Sequence, residues 1–347
     1  MDNRRSLARD GGLLLAAFVA TLILLAGLAL GVGGRSPALT AGATAASTGP
    51  GQIAASPAAS AEPSVIAPAT TVPPASGSSA GPSDPVLVGA GDIGDCASPG
   101  DEATARLIEG IAGTVFTAGD NAYPSGTGEQ FSQCYNSSWG QFRSRTHPSV
   151  GNHDWETKGA IGYLGYFGPA ATNADGRTWY SYDLGSWHVI VLDANCAKVE
   201  GCDARSAQGG WLAADLAAST ARCTVAIWHQ PRFSSGEHGN DPQVAPFWDA
   251  LYAAGADVVI NGHDHDYERF KPQTPAGAAD LDRGIREFVV GTGGTPLRPF
   301  ASSKPNSDIR AAVSFGVLKL TLHPTGYDWA FISTTGTFSD SGSASCH

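Results

Sequence analysis

From Val86 onward the chain alternates short apolar runs with polar loops and amphipathic segments, and the periods of those runs predict its elements. Val86 to Ala90, Val115 to Ala118, Thr224 to Trp228 and Val258 to Ile260 are brief and apolar, as strands buried on both faces are. Ala103 to Ile111 carries Ala, Leu and Ile at helical spacing, and further helices are predicted over 129–142, 211–218 and 244–254. Between them Ser149-Val150 leads into a loop read as extended. The stretch "TWYSYDLGSWHVIVLDAN" alternates with period two on both sides of Gly185-Ser186, which marks a hairpin. A second hairpin is expected around Pro324-Thr325-Gly326, inside the strand-rich region 287–332. Strands alternating with helices, plus hairpins, predict an α/β fold with an α+β-like mixture: mixed sheets carrying helices on their outer faces.

Residues 1–84 follow different patterns. Arg4, Arg5 and Arg9 precede a charge-free run from Leu13 to Val32, which as a helix would span about 30 Å, the thickness of a bilayer's hydrocarbon core. Residues 1–34 are therefore expected to be an export segment, either a cleaved signal or an uncleaved membrane anchor with its arginines in the cytoplasm. Small-residue sites such as Ala41-Gly42-Ala43 would suit a peptidase. Residues 35–84, dominated by Ala, Ser, Thr, Pro and Gly, hold too little apolar surface to offset their ordering entropy and read as a flexible linker. That leaves 85–347, enough chain for one large domain with its own core. Either form of the leader places this domain outside the cytoplasm.

The formal net charge is −11, and a fold this acidic lacks the basic stripe that nucleic acid requires. An anionic substrate would need cations recruited locally. The six cysteines, Cys96, Cys134, Cys196, Cys202, Cys223 and Cys346, form no CxxC pair, which argues against a thiolate zinc site. An even number in an exported chain favours disulfides. Cysteine order leaves the connectivity open; loop positions favour Cys196 with Cys202 and Cys96 with Cys134, so that Cys223 with Cys346 would tie down the C-terminus. His147, His188, His323 and His347 precede prolines, sit in a hairpin or end the chain, and nothing in the sequence pairs them. Trp139, Trp155, Trp179, Trp187, Trp211 and Trp248 read as core or rim packing.

Chemistry-bearing residues recur where the apolar runs end. Val86 to Ala90 is followed by "GDIGDC" with Asp92, Val115 to Ala118 by "GDNAY" with Asp120 and Tyr123, and Val150 by "GNHD" with Asn152, His153 and Asp154. His229 follows Trp228, and "GHDH" after Ile260 brings His263 and His265. Singly, Gly-Asp and Gly-Asn are ordinary turn pairs. Turn chemistry does not explain five successive run ends that offer carboxylate, phenol, amide and imidazole. Such donors suit hard-to-borderline cations, and more than four of them in one cleft imply two ions. An aspartate bridging both would hold them about 3.5–4 Å apart.

In this order "GDIG", "GDNAY", "GNHD", an isolated His after a strand and "GHDH" resemble the five blocks of the calcineurin-like metallophosphoesterases, over roughly 86–270. The resemblance implies two packed mixed β-sheets flanked by helices, a four-layer sandwich. Gly94 stands where the first block of that superfamily usually has a histidine. Tyr123, three residues after Asp120, resembles the GDxxY block of purple acid phosphatases, and "SSGEHG", Ser234 to Gly239, resembles a loop near the active site of their tartrate-resistant forms. Carried over by motif, Asp92, Asp120, Tyr123 and His265 would hold Fe(III), which a phenolate favours. Asp120 as bridge, Asn152, His229 and His263 would hold a divalent Fe, Zn or Mn. The implied function is an exported acid phosphatase that hydrolyses small phosphate monoesters by attack of a metal-bound hydroxide. His153 would donate to the phosphoryl or leaving oxygens, His238 is a second candidate for the same task, and Asp154 would orient His153 or its loop. The rivals are a phosphodiesterase acting on nucleotides or lipid head groups, and a non-catalytic surface protein that keeps the fold.

Overall fold

The computed structural model describes residues 84–347, so the predicted leader (1–34) and all of the predicted linker (35–84) but Asp84 lie outside the described residues. Strands grow from the apolar and alternating runs: β1 (Val86–Ala90), β2 (Thr114–Ala118), β3 (Thr146–Ser149), β4 (Tyr180–Leu184), β5 (Trp187–Val191), β6 (Cys223–Ile227) and β7 (Val258–Asn261). They continue as β8 (Tyr267–Phe270), β9 (Arg286–Val290), β10 (Ser307–Ala311), β11 (Gly316–His323), β12 (Gly326–Ser333) and β13 (Ser339–Ser345). Two mixed sheets result, ordered β13-β12-β11-β1-β2-β3 and β10-β8-β9-β7-β6-β5-β4. β1, β2 and β3 run parallel, as do β5, β6, β7 and β9, with antiparallel strands outside them.

The main helices are α1 (Gly100–Glu109), α2 (Asn152–Glu156), α3 (Ile161–Phe167), α4 (Ala207–Ala218) and α5 (Ala245–Ala254). Alternation along a strand divides one sheet between two cores. Val225 and Ile227 of β6 pack into the core that holds Leu87, Phe116 and Leu318 of the other sheet. Ala226, and Trp228 just past the strand, join Leu212 of α4 and Trp248 and Leu251 of α5. Each such side chain, fully buried, contributes about 1.5–3 kcal/mol. The mixed sheets with outer helices are those the patterning predicted, and their packing into a sandwich is what the family resemblance implied.

Both hairpins form where expected. Leu184 pairs with Trp187 across Gly185-Ser186, and His323 with Gly326 across Pro324-Thr325. The disulfides are Cys96–Cys134, Cys196–Cys202 and Cys223–Cys346, the pairings that loop position favoured. The last joins β6 of one sheet to the residue after β13 of the other. Among the described residues no helix is long and apolar enough to cross a membrane.

Two expectations need correction, and two features were not anticipated. The helix expected over 129–142 is a succession of short helical pieces across 128–145, with a π turn at Phe131–Tyr135 and a 3-10 stretch at Trp139–Arg145. Its period breaks where Phe131 and Tyr135 pack onto Tyr166 and Phe167 and Cys134 is bonded to Cys96. After Val150 the chain is not extended but enters α2, because Asp154 turns back to accept the Gly151 N–H at 2.9 Å. β13, sequence SDSGSAS, has no apolar pattern; as an outermost strand it needs only the backbone bonds of β12. Finally, three histidines that the sequence left unpaired meet carboxylates. His188 lies between Asp183 Oδ1 at 3.1 Å and Asp215 Oδ2 at 2.8 Å, His323 between Asp84 and Asp328, and His347 against Asp257. Most of these partners come from distant segments, where no local pattern points to them.

The bond to Asp215 outweighs burial and raises the His188 pKa above its ordinary value. A group raised on folding stabilises the fold fully below its unfolded pKa of about 6.5 and loses that contribution as pH climbs through the folded value. In urea unfolding, His188→Gln is expected to cost more stability at about pH 5.5 than at about pH 9. Equal losses at both would show an uncharged imidazole.

Candidate metal centre

The strands that carry candidate donors are parallel within each sheet, so their carboxyl ends open on one side, the usual place for a ligand cleft in α/β sheets. Asp92, Asp120 and His263 sit just past β1, β2 and β7 with φ of 61°, 49° and 73°. These left-handed backbones are costly for residues with a Cβ and gather at functional sites. The loops are stitched to one another. Asp92 N donates to Gly119 O at 3.0 Å, and Gly262 N to His229 O at 3.0 Å.

One oxygen of each carboxylate is consumed by the backbone of another motif. Asp92 Oδ2 accepts the His263 N–H at 2.8 Å, and Asp120 Oδ1 accepts the His153 N–H at 2.8 Å. The second oxygens face the cleft. Asp92 Oδ1 lies 2.8 Å from Tyr123 Oη and 3.4 Å from His265 Nε2. Asp120 Oδ2 lies 3.0 Å from Tyr123 Oη and 3.0 Å from His229 Nε2. Such closeness explains two motif glycines: a Cβ on Gly151 would stand 2.1 Å from Asp120 Oδ1, and one on Gly262 2.5 Å from Asp92 Oδ2. Gly94 is constrained likewise, since a Cβ there would meet Asn121 O at 2.9 Å. The position admits no histidine, and the Tyr123 phenol reaches Asp92 instead.

The imidazoles are oriented from behind. His229 Nδ1 donates to Ala118 O at 2.7 Å and His265 Nδ1 to Pro296 O at 3.0 Å, which leaves each Nε2 as the lone-pair nitrogen of the neutral ring. Those lone pairs point at carboxylate oxygens, a repulsive arrangement unless a proton or a cation lies between. Metal-ligating histidines are typically held by this outer N–H bond. His263 Nδ1 faces His229 Nε2 at 3.3 Å, and donor atoms of Asp120, His229 and His263 all fall within 4.8 Å of one another. Among the described residues the buried Asn152 Oδ1 has no hydrogen-bond partner, which fits an acceptor facing a positive group. Carboxylates, imidazoles, a phenol and an orphan amide oxygen fit a pair of hard-to-borderline cations.

Protons carry the compensating charge when no cation does. Burial disfavours charge on His229, yet Asp120 and Asp92 beside it raise its pKa to about 9. Burial likewise pushes Asp92 and Asp120 up, but the neighbouring imidazoles, His229 foremost, hold both below the ordinary carboxylate value. His263 is pushed down to about 3 by burial and by the charges of His229 and His238, so it stays neutral. Burial, then Asp120 and Asp92, raise the Tyr123 phenol well above its usual value.

The two proton-donor candidates occupy different places. His153 packs on Tyr123, its Nδ1 2.6 Å from Pro124 O and its Nε2 3.9 Å from Asp120 Oδ2, with a third of the side chain exposed. His238 stacks on His263 with ring centroids 4.2 Å apart. Asp154 holds the loop and not His153: its carboxylate takes Asn121 N, Asn121 Nδ2 and Gly151 N. Two residues at the site were not singled out from the sequence. Asp264, between His263 and His265, accepts from Ser234 Oγ, from His238 N at 2.8 Å and from Gly239 N at 3.2 Å. Arg298 Nη1 donates to His238 Nε2 at 3.0 Å. The polar residue inside "GHDH" was a visible signal for the first; for the second there was none.

The family model described as calcineurin-like phosphoesterase matches residues 86–267, more than half of the chain, and the chain belongs to that family. The matched span contains every candidate metal ligand. Within the family the chain is similar to purple acid phosphatases. Purple acid phosphatase 18 of Arabidopsis thaliana is 29% identical over 154 residues, 42% of this chain and 34% of that protein. An uncharacterized protein of Mycobacterium tuberculosis is 32% identical over 184 residues, 43% of this chain and 35% of that one. The chain thus spans about a third of the length of these relatives. A purple acid phosphatase structure from yellow lupin seeds shares the fold, with a TM-score of 0.63 at 20% identity over 76% of this chain and 54% of that one.

Removing the Asp264 carboxylate leaves two loop amides without their acceptor, worth about 1–3 kcal/mol for a buried donor. Asp264→Ala is expected to speed hydrogen exchange at His238 and Gly239 by about tenfold or more while β7 keeps its protection. Unchanged exchange at both amides would show that the loop is held by other means.

Proposed function

We propose that this chain is a metal-dependent phosphatase of the purple acid phosphatase type that hydrolyses small phosphate monoesters. The observation that carries the reading is the place of Asp120 Oδ2, 3.0 Å from Tyr123 Oη on one side and 3.0 Å from His229 Nε2 on the other. One oxygen shared between two donor sets is what a bridging carboxylate requires. Asp92, Asp120, Tyr123 and His265 would hold Fe(III), and Asp120, Asn152, His229 and His263 a divalent Fe, Zn or Mn. Ions held there would polarise the phosphoryl group, offset its charge and bring the pKa of a water toward about 7.

The chain's own contribution is orientation and one mobile proton. The amides of His153 and His263 keep the bridging Asp120 and terminal Asp92 carboxylates aimed before substrate arrives. His153 is positioned by its Nδ1 bond to Pro124 O, so Nε2 is the nitrogen free to act. A proton on that nitrogen would pass to the leaving oxygen, yielding a neutral alcohol and a neutral ring. Export, which the three disulfides favour, would expose the centre to extracytoplasmic esters.

The metal-loaded full chain is expected to hydrolyse p-nitrophenyl phosphate in preference to the bis ester. His153→Ala should lower kcat by about 10²–10⁴ at unchanged metal content. Loss of metal in that variant would instead make His153 a ligand. With iron bound, the wild type should show a visible phenolate charge-transfer band that Tyr123→Phe removes; iron without such a band in the wild type would take Tyr123 out of the ligand set.

A further inference from the structure

Arg298 lies outside every sequence motif, in the connection from β9 to β10, yet that connection is bonded directly to the centre. Thr295 N donates to Asp92 O at 3.0 Å, Pro296 O holds His265 Nδ1, and Arg298 N donates to His265 O at 3.0 Å. The guanidinium therefore cannot drift far from the ligand-bearing segments. Its Nη1 bonds His238 Nε2 at 3.0 Å and Glu237 Oε2 at 3.2 Å, and the His238 ring stacks on His263. Nε and Nη2 make no hydrogen bond among the described residues. The side chain is 36% exposed.

We propose that Arg298 is an anion subsite one imidazole beyond the metal centre, selecting phosphate monoesters whose leaving group carries a second oxyanion. The proposal rests on the phosphatase reading of the same cleft. A guanidinium offers a planar fork of donors that matches an oxyanion, and two of its nitrogens stand ready here. Glu237 is no obstacle: its side chain is 59% exposed, and an exposed pair of this kind is worth little and yields to a better anion. In a chain of formal net charge −11, one anchored cation beside the cleft discriminates among anions that reach it. Esters with a neutral leaving group gain nothing from it.

The test uses para-carboxyphenyl phosphate and its carboxamide analogue, which share a skeleton and differ in one charge. Metal-loaded wild type is expected to favour the carboxylate about tenfold in kcat/KM. The preference should fall toward parity in Arg298→Gln, survive in part in Arg298→Lys, grow in Glu237→Gln and shrink as salt is raised. Calorimetric binding of the corresponding phosphonates, which are not hydrolysed, should show the same ratios. Parity in the wild type, or a preference that persists in Arg298→Gln, overturns the subsite. Turnover of neither ester by the metal-loaded wild type would overturn the phosphatase reading instead, and the phosphonate ratio would still decide the role of Arg298.

Discussion

Asp92 Oδ2 and Asp120 Oδ1 each accept a backbone N–H from a different loop that carries candidate ligands, and the arrangement of the site depends on that exchange. A carboxylate anchored by one oxygen presents the other in a fixed direction, so the loops bearing His263 and His153 become part of the aim of Asp92 and Asp120. The exchange demands close backbone approach, which explains the glycines before Asn152 and His263. It also demands that the ends of β1, β2, β3, β6 and β7 share one side of the sandwich. Two sheets packed through a common core meet that demand, and an equally apolar set of strands in another order would not.

The same convergence creates an electrostatic problem. Two fully buried carboxylates cannot stay ionised without compensation, because the desolvation cost of each is several kcal/mol. Asp120 and Asp92 raise the His229 pKa to about 9, so a proton on its ring would offset part of their charge. A metal ion would take the same place and release that proton, so affinity for cations and for protons would be opposed in this cleft. The chain as a whole is acidic, with a formal net charge of −11, so an anchored guanidinium at the rim would carry weight.

Much of this was legible in the residues. Short β-branched runs fixed the strands to within a residue or two, because a strand buried on both faces has little freedom of composition. Both hairpins were visible from period two on either side of turn residues, and the three disulfides from the places of the cysteines. The candidate donors were visible as a series, since a chain that ends successive strands in Asp, Asn and His has a reason beyond turning. Less legible were features whose cause lies across the fold. The broken helical run at 128–145 follows from rings that stack on Tyr166 and Phe167, and the His188 pKa is raised by a carboxylate on α4.

By itself the amino-acid sequence determined which segments are apolar, which residues leave them and which donor types are offered, because these are properties of neighbours along the chain. Tertiary structure alone decided that Asp120 Oδ2 lies between Tyr123 and His229, that Tyr123 reaches Asp92 where Gly94 admits no histidine, that Asp264 grips the His238 loop and that Arg298 stands beside it. Those facts are distances between atoms brought together by the packing of two sheets, and no local pattern encodes the sum of so many distant contacts.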